Sequence, residues 1–318
     1  MTEVLHVPSV PSRRYQRETN KTRGIFVYLA ISFGLGWLAQ IAVVNLLSGV
    51  SGGLASLGPG ALIAGALLMW PPAIGAVVAH RFVEHGRQGN LGLRWPGWGY
   101  ALLAWFGPAL LTALTMLASL PIYPFDPSFS TVRVLASQSG QPLPADPAMI
   151  VAGQLALALT LAVPINALLA FGEELGWRGY LLPRLMQRLG VWPGVLLHGA
   201  IWGFWHAPLI VLSGYNYPGH NLLGVPWFII SCALLGVLFG WLRLGSGSVF
   251  APTIAHAAFN AIGPAPLLLL RNVDAAIGGV LWSPIGWLVM LLVIGALAAT
   301  GRLDRGLRRD ATSELVPF

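Results

Sequence analysis

The chain has 318 residues, of which 56% are hydrophobic and only 9% charged, with a formal net charge of +7 and a mean hydropathy of +0.71. A water-soluble domain carries roughly 25% charged residues, so a soluble enzyme and a disordered scaffold are excluded. A single cysteine, Cys232, rules out an intrachain disulfide framework.

In chain order, residues 1–24 form a polar tail that carries Arg13, Arg14, Arg17, Lys21 and Arg23. A membrane span needs about 20 predominantly apolar residues, and runs of that kind recur at 25–47, 61–80, 98–120, 150–180, 191–213, 225–242, 249–270 and 280–300. The expected fold class is therefore an all-α, polytopic membrane helix bundle with about eight transmembrane helices. The first run is too long for a signal-peptide core and is expected to stay as an anchor. Residues 121–149 form the longest stretch expected to be non-helical, with six prolines from Pro121 to Pro147. They are expected to be a connector or a lid. Segment 181–190 is amphipathic and basic, and is expected to lie along the headgroups. Gly236 and Gly240, four residues apart, suit close helix contact.

The basic residues flank the apolar runs and form no stripe, which points to membrane lipid and not to nucleic acid. One side of the membrane collects the five of the tail, Arg81, Arg87, Arg94, Arg184, Arg188, Arg243, Arg302, Arg305, Arg308 and Arg309. The other side holds Arg133 and Arg271, and Arg178 falls within a span. The positive-inside rule then puts both termini in the cytoplasm of a multi-pass cell-membrane protein.

Ionisable groups are expensive in the apolar zone, so those found there mark function by default. Of the eleven acidic residues, only Glu173 and Glu174 lie within a span; the others, Glu84 and Asp126 among them, are expected in tails, loops or span edges. Glu173 sits about 16 Å along a helix from Arg184, the next charge expected at the interface. Glu174 and Arg178 stand at i and i+4, the spacing of an ion pair. Glu173 points about 100° away and is left to face a polar cavity. A carboxylate withdrawn from bulk water suits general-base work. The alternative is a structural triad that locks helices together, although two carboxylates and one arginine leave a charge uncompensated.

Three histidines fall within spans. His198 reads as a buried core residue. His206 shares a helix face with Trp202 one turn earlier, and His256 shares one with Asn260 one turn later. Glu173, His206, His256 and Asn260 come from three different spans at similar depth, enough to build a wet catalytic chamber.

These residues resemble the motifs of the CPBP (CAAX-protease and bacteriocin-processing, or Abi) family of intramembrane glutamic endopeptidases. Its pattern of E-E-x-x-x-R, F-x-x-x-H and H-x-x-x-N reads here as Glu173-Glu174-x-x-x-Arg178, Trp202-x-x-x-His206 and His256-x-x-x-Asn260. The resemblance implies that Glu173 and His206 activate a water, that His256 and Asn260 donate to the oxyanion, and that Glu174 and Arg178 support them. Trp202 replaces the family's phenylalanine, with altered packing expected and no loss of chemistry. The implied division is a cytoplasmic tail at 1–24, N-terminal helices and outer loop at 25–147, a catalytic core at 148–270, and a last span with a basic tail at 271–318. The implied partner is a protein or peptide substrate, lipidated or not.

Three rival readings are open. Glu173, His206 and His256 could form a His₂Glu zinc set, although H-E-x-x-H is absent and no cofactor is expected. Gly49-Val50-Ser51-Gly52 matches a rhomboid-like serine string, in a Gly/Ser-rich loop where such strings arise by chance. A transporter or immunity scaffold could also carry buried Glu and His, and Pro71-Pro72, Gly34 and Gly36 interrupt apolar runs as transporter helices do. Against it stand the absence of paired halves and the clustering of the acids.

Overall fold

The computed structural model describes residues 13–48, 60–86, 90–139 and 142–313. Glu3, His6, Ser51, Arg87 and Glu314 lie outside them, and with them the serine string. Among the described residues the chain folds into fifteen α-helices, with one isolated bridge and no strand. They are α1 (Arg13–Leu47), α2 (Gly60–Met69), α3 (Pro71–Val78), α4 (Trp98–Ser119), α5 (Ser130–Ser139), α6 (Pro147–Leu159), α7 (Ala162–Glu174), α8 (Leu182–Leu189), α9 (Val191–Trp205), α10 (Ala207–Ser213), α11 (Asn221–Ser246), α12 (Phe250–Ile262), α13 (Pro266–Leu269), α14 (Pro284–Ala299) and α15 (Arg302–Ser313).

Four helical stretches are long and apolar enough to cross a membrane: Thr22–Leu47, Trp98–Ser119, Val191–Ser213 and Asn221–Ser246. Two bent pairs bring the number to six. Gly60–Met69 and Pro71–Val83 meet at 47°, and Pro147–Leu159 and Ala162–Leu189 at 51°. The seventh and eighth apolar runs hold shorter helices, α12 with 13 residues and α14 with 16. The bends follow local chemistry. Pro71 and Pro72 start α3 where a proline needs no helical N–H, whereas Gly34 and Gly36 leave α1 unbroken.

The outer face of the bundle is apolar, with Leu38, Ile63, Phe82, Leu102, Leu222 and Leu292 all exposed. In water such a surface would aggregate; in lipid it is the required solvent contact. The chain is a multi-pass membrane protein. Inside, α11 packs along α9 through glycines. A Cβ on Gly199 would lie 2.6 Å from the Ala233 Cα, and one on Gly236 would lie 3.2 Å from the Gly199 Cα. Gly240 instead faces the Leu182 side chain.

Three expectations need correction. Segment 181–190 is not a surface-lying helix along its whole length: Leu182 to Met186 are buried, with Leu182 and Met186 packed against Val195, Val237, Leu303 and Leu307, and only 187–190 are exposed. Arg184 is buried too, because its guanidinium Nε donates to the Glu84 carboxylate at 2.9 Å, and the Tyr180 hydroxyl donates to the same oxygen at 2.9 Å. Glu84 is thus a buried partner and not a solvated one. Segment 121–149 contains α5, and its start is fixed by Asp126. That carboxylate, 1% exposed, accepts from the Ser128 and Ser130 amides at 3.1 and 2.7 Å and from the Arg271 Nε at 3.2 Å.

Candidate active site

Glu173 and Glu174 end α7, after which the helix widens into π-helical turns over Leu175–Leu181. Such turns are frequent at functional sites. Here the widened turn keeps Arg178 facing the acids, and its NH1 donates to the Glu174 Oε1 at 2.7 Å with both side chains fully buried. Gly172 and Gly176 flank the acids because the bend between α2 and α3 presses on them. A Cβ on Gly172 would lie 2.8 Å from the Met69 carbonyl oxygen, and one on Gly176 would lie 2.6 Å from the Pro72 carbonyl oxygen. The N-terminal helices therefore back the carboxylate pair.

The two acids have separate surroundings. Glu173 lines a cavity of about 670 Å³, together with Trp202, His206, His256 and Asn260. Its Oε2 accepts from the Trp202 indole Nε1 at 2.7 Å. Glu174 turns away from that cavity; its Oε1 also meets the His256 Nδ1 at 2.8 Å. The Arg178 guanidinium carbon lies 3.9 Å from the centre of the Trp202 ring. One cation thus neutralises Glu174 directly and polarises, through the ring face, the indole that serves Glu173.

Backbone and carboxylate acceptors fix both cavity histidines. The His206 Nδ1 lies 2.9 Å from the Trp202 carbonyl oxygen, which can only accept. Its Nδ1 therefore carries the proton, and its Nε2 lone pair is left for the cavity. Likewise, Glu174 holds the His256 proton on Nδ1. The Asn260 amide brings N–H donors of its own to the cavity wall. His198 is buried edge-on against Trp177, 6.4 Å between ring centres, and does not line the cavity.

All five cavity-facing motif residues are thus brought together, with Glu174 and Arg178 directly behind them. Asn166, on the same α7 face as Glu173 and two turns earlier, and Tyr215 also line the cavity. Their sequence surroundings are ordinary for apolar helices and loops, so only the fold reveals them. The Trp202 N–H contact was hidden for a different reason: an aromatic at helical spacing reads as packing. Among the described residues no group of three or more His, Cys, Asp and Glu stands close enough to hold a metal ion.

Residues 152–262 match the family described as Type II CAAX prenyl endopeptidase Rce1-like. The three motifs all fall inside that stretch. Over 106 residues the chain is 34% identical to CAAX prenyl protease 2 of Methanococcus maripaludis, which covers 31% of this chain and 39% of that relative. The chain thus spans about two fifths of the length of the curated relative it matches.

Proposed function

We propose that this chain is a CAAX-type intramembrane endopeptidase of the cell membrane, with both termini cytoplasmic, which hydrolyses a peptide bond through a water held by Glu173 and His206. The observation that carries this reading is the shared wall of Glu173, His206, His256 and Asn260 around one cavity. Peptide hydrolysis needs a base beside water and donors where negative charge develops. Glu173 has one carboxylate oxygen anchored by Trp202 and the other left to accept the water's proton, which it returns to the departing amine as the tetrahedral intermediate collapses and the C–N bond breaks. The His206 Nε2 lone pair accepts the second hydrogen of that water and orients it. Asn260, with His256 beside it, supplies the donors for the tetrahedral oxyanion. Glu174 and Arg178 touch no substrate in this scheme; Glu174 sets the tautomer and orientation of His256, and Arg178 stacks on the indole.

No metal is required at any step. The substrate is a protein or peptide, lipidated or not, reached within the lipid phase.

The test compares membranes of cells that express the chain with those that express Glu173→Gln, by enrichment of new peptide termini. New termini are expected with the native chain, lost with Glu173→Gln and with His206→Ala at equal protein levels, and unchanged by a chelator. Identical termini in all three would favour a non-proteolytic scaffold, and loss upon chelation would restore the zinc reading.

A further inference from the structure

The catalytic cavity has an orientation that the motifs do not give. Its floor is Glu173, His206 and His256, of which Glu173 and His206 fall well inside the stretches Ala162–Leu189 and Val191–Ser213. From there its walls run one way only. Val44 of α1 and Leu209 of α10 line it next, then Ser48, Ser213 and Tyr215, which are exposed at the ends of α1 and α10 and in the loop that follows. Among the described residues, none that lines it belongs to 78–97, 182–194, 240–250 or 299–313.

Those excluded segments are the basic end of the bundle. They hold Arg81, Arg94, Arg184, Arg188, Arg243, Arg302 and Arg305, and the basic N-terminal end of α1 joins them, since the Arg188 NH2 donates to the Thr22 hydroxyl at 2.6 Å. The mouth end, by contrast, is marked by Arg133 and Arg271 alone, and Arg271 is spent on Asp126. Basic residues beside spans stay cytoplasmic.

The geometry points to a protease chamber that opens on the extracytoplasmic side of the membrane, so that its substrate is a membrane-anchored polypeptide whose scissile bond lies in the extracytoplasmic half of the bilayer. The wall between mouth and floor is mostly apolar (Val44, Leu68, Leu209, Phe259), with a polar rim of Ser48 and Ser213. Such a path takes an extended apolar segment whose flanks are wet. The substrate assignment rests on the protease reading above, whereas the side of opening does not.

Single cysteines read by a membrane-impermeant sulfonated maleimide test it without any need for activity. The native chain is the blank, because its Cys232 is fully buried. In intact cells Ser213→Cys and Leu209→Cys are expected to label, and Asp304→Cys is expected to label only in inside-out vesicles. Val44→Cys, on the opposite wall, repeats the Leu209 measurement should that variant fold poorly. Labelling of both wall cysteines from the cytoplasmic side, or from neither, overturns the proposal. The Asp304→Cys result then says whether the charge-derived orientation or the cavity path was at fault. Loss of new termini in Glu173→Gln is read separately, so a failed protease reading is distinguishable from a failed orientation.

Discussion

Trp202 joins three parts of the site: its indole N–H donates to Glu173, its ring face carries the Arg178 guanidinium, and its carbonyl fixes the His206 proton. Phenylalanine would keep the stack and the backbone carbonyl but remove the N–H donor. A hydrogen bond to a charged group contributes about 1.5–3 kcal/mol, so under the proposed mechanism, in which the indole holds the base and not the substrate, Trp202→Phe is expected to lower kcat roughly tenfold or more while KM stays near native. Trp202→Ala also removes the stack beneath Arg178 and is expected to be inactive. Initial rates on a peptide identified from the new termini give the comparison. A Trp202→Phe enzyme as fast as the native one would assign the indole a packing role only. The i and i+4 pairs, Glu174 with Arg178 and His256 with Asn260, were legible in the sequence because helical spacing fixes them. The contacts that divide the labour were not. Trp202 meets Glu173 across 29 residues and His256 meets Glu174 across 82, and no periodicity reports such pairings.

At the scale of elements, apolar run length exposed the bundle, whereas charge placement misled where a partner lay far away. Segment 181–190 has a basic face that suits headgroups equally well; what decided otherwise was Glu84, a hundred residues upstream. The Pro-rich stretch 121–149 hid α5 for a similar reason, since its anchor depends on segment 266–274. There the Asp126 amide donates to the Leu269 carbonyl at 2.8 Å and the Arg271 amide to the Pro124 carbonyl at 3.0 Å. Hydrogen bonds from Ser128 and Ser130 hold the Asp126 carboxyl well below the usual carboxylate range. Its pKa is depressed in the folded chain, so its contribution is fully present above the unfolded value, about 3.9, and is lost as pH falls through the lower folded value. Asp126→Asn is therefore expected to lower Tm at pH 7, with the gap to the native protein closing as pH drops below about 4. Thermal unfolding in detergent at a series of pH values measures this. A gap independent of pH would mean that the asparagine disturbs the strap by shape and not by charge.

For the whole molecule, the basic end holds a buried ion pair, and the Glu173 cavity extends toward the opposite end. Glu84 follows the π-helical continuation of α3 at Ala79–Val83, and Arg184 belongs to α8. Their bond, with the Tyr180 hydroxyl on the same carboxylate and the Arg184 guanidinium 3.7 Å from the Tyr180 ring centre, ties the N-terminal helices to the segment that follows Arg178. The same N-terminal helices press the α2–α3 bend onto Gly172 and Gly176, so a loosened clamp should be felt at the acids. Breaking a buried pair leaves one charge uncompensated, at about 3–5 kcal/mol, whereas replacing both partners by apolar groups of similar volume is often neutral. Arg184→Met alone is therefore expected to destabilise strongly, and Glu84→Leu alone likewise. The double variant should recover most of the lost Tm. Its cleavage rate then separates two roles. Native activity in the double variant makes the pair a fastener only, whereas a stable but slow enzyme makes it a positioning device for the α7 acids. Additive losses of Tm in the double variant would show that Glu84 and Arg184 act independently, and the clamp would have to be abandoned.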